Sequence, residues 1–82
     1  MSLLSRPAVL AVLRGAETWC PLGYVVAESR KRVREQYGPL TAEETERVGL
    51  SRGGVRAELE AATERGQAVR RDQPWEAWRW AS

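Results

Sequence analysis

Residues 41–56 read Thr41-Ala42-Glu43-Glu44-Thr45-Glu46-Arg47-Val48-Gly49-Leu50-Ser51-Arg52-Gly53-Gly54-Val55-Arg56, and they contain two helix starts with one break between them. Thr41 is the first N-cap: its hydroxyl can accept from the amide of Glu43 or Glu44, and Glu44, three residues on, completes a capping box. The short helix so begun, 42–48, ends at Gly49. Ser51 caps the next one, 52–65, where Val55, Leu59 and Ala62 recur at spacings of four and three and form one apolar stripe. Arg52 and Arg56 lie four apart on another face, and Gly66 supplies the stop. Two helices are thus joined by the four-residue turn Val48-Gly49-Leu50-Ser51.

Upstream, Val25, Val26, Ser29, Val33 and Tyr37 repeat at near-helical spacing, which predicts a helix over 22–37. Its wet side carries Arg30, Lys31, Arg32, Arg34 and Glu35, either an electrostatic footprint or a face turned to water. Gly38-Pro39 ends it, because a residue before proline avoids the helical region. Before that, residues 6–14 form a short apolar helix with Ser5 as N-cap and Gly15 as stop, fastened to the rest by Val9, Leu10 and Leu13. Downstream of Gly66 the period shortens to two. Residues 67–71 and 76–80 are expected as strands around the loop 72–75, with Val69, Trp78 and Trp80 facing the helices and Ala77 and Arg79 outward.

Composition narrows the function classes. Eighty-two residues with 43% apolar and 29% charged content suit one small globular domain, 1–82, with residues 1–20 as an N-terminal extension on or near the core. No apolar run is long enough to span a bilayer and the N-terminus lacks the pattern of a signal peptide, so a cytoplasmic protein without membrane attachment is expected. Cys20 is the single cysteine and histidine is absent, which removes the usual zinc-binding spacings and leaves Cys20 as a small buried hydrophobe. The formal charge of +2 is unevenly spread: residues 1–39 hold six basic against three acidic residues, 40–65 four against six, and 66–82 three against two. All basic residues but Lys31 are arginine, whose planar guanidinium suits phosphate and carboxylate.

These elements carry a resemblance. Tyr37-Gly38-Pro39-Leu40-Thr41-Ala42-Glu43-Glu44, then Val48-Gly49-Leu50-Ser51, then Val55, Leu59 and Gly66, then Val69-Arg70-Arg71, resemble the winged helix-turn-helix of many bacterial and archaeal regulators over roughly residues 24–82. The resemblance implies a mainly α (α+β) fold: a winged helix-turn-helix with an extra N-terminal helix and a two-stranded C-terminal wing. It also implies that Leu40, Gly49, Leu50, Ser51, Val55, Leu59 and Gly66 hold the core together. The recognition helix would be 51–65 and the wing 70–75. Ser51, Arg52 and Arg56 would then contact phosphate or base edges, and Arg70 and Arg71 would act as wing contacts.

The function expected on this basis is binding of double-stranded DNA by a small transcriptional or replication-related accessory factor, as a homodimer where two half-sites are read. The competing reading is a winged helix used as a protein-interaction module on a nucleoprotein or polymerase-type partner. Gly53 and Gly54, which remove side chains from where base readers sit, and the glutamates at 43, 44, 46, 58, 60 and 64 argue for the latter. Catalysis is not expected, since no acid-base pair, activated nucleophile or phosphate-binding glycine spacing is present, and no cofactor or metal is called for. Trp19 and Trp75 stand outside every periodic pattern and serve either as packing or as interface anchors.

Overall fold

The computed structural model describes residues 3–81, which fold into four helices and an antiparallel hairpin. They are α1 (Ser5–Gly15), α2 (Leu22–Tyr37), α3 (Ala42–Arg47), α4 (Arg52–Glu64), β1 (Ala68–Arg71) and β2 (Ala77–Trp80). The architecture is a mainly helical domain followed by a wing-like two-stranded element, an α+β fold.

The chain reverses between α3 and α4 at Gly49, whose φ of +82° would strain any residue with a side chain. The Leu50 amide donates to the Thr45 carbonyl at 2.9 Å, and this closes α3 and drives the Leu50 side chain fully into the core. The turn is pressed from both sides. A Cβ on Gly49 would lie 2.7 Å from Ser5 Oγ, and one on Gly54 would lie 2.5 Å from the Gly49 carbonyl oxygen. Gly54 is therefore required where α4 crosses the turn. Ser5, expected as an N-cap, is instead the first helical residue, buried against Gly49, and the Leu4 amide ahead of it donates to the Val48 carbonyl.

Three helices enclose the core. Val9 and Leu13 from α1, Val25 from α2, and Val55, Leu59 and Ala62 from α4 are fully buried around Leu50 and Trp78. Each such valine or leucine contributes about 1.5–3 kcal/mol over its exposed state. Trp78 closes the bottom of this cluster. Helix α3, by contrast, buries no residue. Its sequence is nearly all polar, and only its flanks, Leu40 and Val48, pack against the core.

The hairpin register corrects one expectation. Ala68 pairs with Trp80, Val69 with Arg79, Arg70 with Trp78 and Arg71 with Ala77. Directly opposed residues share a face, so Ala68, Arg70, Trp78 and Trp80 form one face while Val69, Arg71, Ala77 and Arg79 form the other. Placing Val69 inward with Trp78 and Trp80 would need a one-residue slip, which flips a strand's side chains. Val69 is exposed and Ala68 takes the inward place, whereas Ala77 is buried although it shares the outer face. Cys20 adds a third rung: its amide donates to the Trp78 carbonyl at 2.7 Å, and the Trp78 amide donates back to Cys20 at 2.9 Å. Its thiol is buried, and burial pushes its pKa up.

Candidate nucleic-acid interface

The five residues read from the sequence as DNA contacts occupy three different environments. Ser51 caps α4, its Oγ accepting from the Gly54 amide at 3.1 Å. This hydroxyl satisfies one of the free amides at the helix start. Arg52 follows as the first residue of α4; it is exposed, and among the described residues it takes part in no ion pair.

Arg56 and Arg70 converge on Glu76. Arg56 donates from Nη1 to Oε1 at 2.7 Å and from Nη2 to Oε2 at 2.6 Å, while Arg70 donates from Nη2 to Oε2 at 2.6 Å and from Nε at 3.0 Å. Glu60, one turn along α4, lies 3.2 Å from Arg56 Nε, and Asp72 lies 2.7 Å from Arg70 Nη2. Two guanidinium groups thus sit among three carboxylates. The bonds from Arg56 and then Arg70 hold the Glu76 carboxyl down at about 2, and bonding to Glu76 raises both arginines above their ordinary value. The Arg56 guanidinium also lies over the Trp78 ring, 5.7 Å from its centroid. This network fastens the hairpin to α4 and leaves little free positive charge at Arg56 and Arg70.

Arg71 lies on the outer hairpin face, its guanidinium 4.9 Å from the Trp19 ring centroid and 5.5 Å from that of Trp75. Arg79 stands over Trp19 as well, at 5.6 Å. Of the expected contacts, Ser51 and Arg52 fall together at the start of α4, Arg56 and Arg70 meet on Glu76, and Arg71 stands apart with the tryptophans.

Two features escaped the sequence reading. Arg30 Nε donates to the Leu50 carbonyl at 2.9 Å, which ties the basic side of α2 to the α3–α4 turn. With Arg34, Leu40, Thr45, Glu46 and Ser51 it lines a groove of about 530 Å³ that opens beside the start of α4. A separation of twenty residues gives no local cue for that bond. Glu76 was the second omission. Its position six residues after Arg70, across a short loop, is a signal that could have paired those two, but nothing in the sequence links it to Arg56.

Among the described residues no three acidic, cysteine or histidine side chains converge in a way that could hold a metal ion, and no helix is long and apolar enough to cross a membrane. The chain matches no protein-family model, no curated protein and no solved structure.

Proposed function

We propose that the chain binds double-stranded DNA as a winged helix-turn-helix, with the first turn of α4 entering the major groove and the hairpin beside the backbone. The observation that carries this reading is Arg52, which forms no ion pair among the described residues, at the start of a helix held by a buried turn, with Arg30 and Arg34 lining the adjacent groove. A fixed helix start that projects a free guanidinium is suited to phosphate or to a guanine edge. Arg56 and Arg70 enter the reading as the residues that set the angle between α4 and the hairpin. Arg71 flanks the wing.

A salt titration with nonspecific duplex tests it. Affinity should fall steeply as salt rises, by about 0.9 in log-log slope per phosphate neutralised, and Arg52→Ala should weaken binding while helicity is retained. The complex's stoichiometry reports whether one copy binds or two. Absence of binding at low salt would sink the DNA reading and leave docking on a protein partner, which the excess of carboxylates around Arg56 and Arg70 favours.

A further inference from the structure

Apart from Arg71, the outer face of the hairpin is not used by the duplex reading. It holds Val69, Arg71 and Arg79, with Trp19 packed under both guanidinium groups and Trp75 at the loop end beside Arg71. Trp75 is 57% exposed and Val69 43%, a large share for side chains that a wet surface disfavours. Next to Trp19 a hollow of about 350 Å³ runs to Pro21 and Tyr24, and Tyr24 is itself 48% exposed. That volume falls at the lower end of the roughly 300–1,000 Å³ common for small-ligand pockets.

Among the described residues neither Arg71 nor Arg79 forms an ion pair, while neighbouring Asp72 is taken by Arg70 at 2.7 Å. Glu17 is the acidic residue that lines the hollow. Arg71 Nε is buried without an acceptor among the described residues, and the guanidinium is held by its contacts with the Trp19 and Trp75 rings. Arginine over tryptophan keeps its charge while its plane is fixed, which orients the remaining donors.

We propose that this outer face binds single-stranded nucleic acid, with bases stacking on Trp75 and in the Trp19–Tyr24 hollow and phosphates meeting Arg71 and Arg79. Exposed rings interleaved with unpaired guanidinium groups are what an unstacked strand requires, because every base has a π-face and every nucleotide a phosphate. A duplex keeps its bases stacked inward and would leave Trp75 against sugar and phosphate. A peptide of carboxylates alone would satisfy the arginines but offers no rings for the aromatic surface. The site lies on the hairpin face opposite that of Arg70 and stands whether or not α4 binds duplex.

The test is fluorescence titration of the full chain with thymidine and uridine oligonucleotides of about ten nucleotides at low salt. The emission of exposed Trp75 should be quenched on binding. Trp75→Ala should lower affinity about tenfold or more, the usual effect of losing one stacked base. Arg79→Ala should reduce the salt slope by about 0.7. Arg52→Ala should change neither, which separates this site from the duplex reading. No binding, binding that survives Trp75→Ala in a folded variant, or equal binding of a polyglutamate peptide would each overturn the proposal. If Trp75→Ala alters the circular dichroism spectrum, Arg79→Ala decides: an unchanged salt slope refutes the site.

Discussion

Arg56 grips both carboxylate oxygens of Glu76, at 2.7 and 2.6 Å, and so bolts the loop end of the hairpin to the middle of α4. Two-point guanidinium–carboxylate pairs fix orientation as well as distance. A second arginine, Arg70, shares the same carboxylate, which explains why Glu76 keeps its charge far into acid.

Stability should therefore depend on Glu76 in acid. Unfolded, its carboxyl takes up a proton near 4.5; folded, it does so only near about 2. Between those values the unfolded chain binds more protons, so this group's contribution is complete above about pH 4.5 and is lost as pH falls through 2. Melting temperature followed from pH 6 to pH 2 should show a steeper acid decline in the wild type than in Glu76→Gln. Superimposable slopes would mean the carboxylate is not held as described.

The same substitution bears on DNA. Glu76→Gln releases Arg56 and Arg70 from a full negative charge, so duplex affinity should rise. The log-log salt slope should steepen by up to about 0.9, the equivalent of one further phosphate contact, because Glu60 stays on Arg56 and Asp72 on Arg70. A variant that folds normally with an unchanged slope would show that neither arginine faces the duplex.

Helices α2, α3 and α4 were legible because each has a local cause, whereas the Ser5 cap expected for α1 does not form. Thr41 and Ser51 cap where expected, Gly49 turns the chain where a left-handed residue is needed, and the Val55–Leu59–Ala62 stripe is buried as a unit. The α2 boundaries, 22 and 37, follow from Pro21 and Gly38. Long-range pairing was not legible in this way. The inward position of Ala68 in place of Val69 is set by a register that only the paired strands define, and β-branching alone points to the wrong residue. The candidate contacts divided for a similar reason. Arg52 and Arg56 are equivalent by helical spacing, yet a carboxylate arriving from twenty residues away neutralises one and leaves the other free.

Helix α3 depends on its cap more than on packing. It buries no side chain, while Thr41 Oγ accepts from the Glu44 amide at 3.1 Å and the Glu44 carboxylate accepts from the Thr41 amide at 2.9 Å. Thr41→Ala should cost α3 about 1 kcal/mol and speed amide exchange over residues 43–48 about fivefold. Exchange in α1 and α4, which hold the core, should stay near wild-type rates. Equal acceleration across all helices would show that α3 unfolds only with the whole molecule.

Adjacent glycines in α4 should respond in opposite directions to the same change. A Cβ at Gly53 meets nothing within 4 Å, so Gly53→Ala gains helix propensity and should stabilise the fold by up to about 1 kcal/mol. At Gly54 the added carbon would stand 2.5 Å from the Gly49 carbonyl oxygen and 2.9 Å from its carbon, both backbone atoms that cannot rotate away. Gly54→Ala must push α4 off the turn and should destabilise by about 1–3 kcal/mol, as overpacking elsewhere does. Denaturant midpoints of the two variants measure the contrast. Were Gly54→Ala as stable as Gly53→Ala, the close crossing of α4 over the turn, and with it the fixed position of Arg52, would not exist in solution.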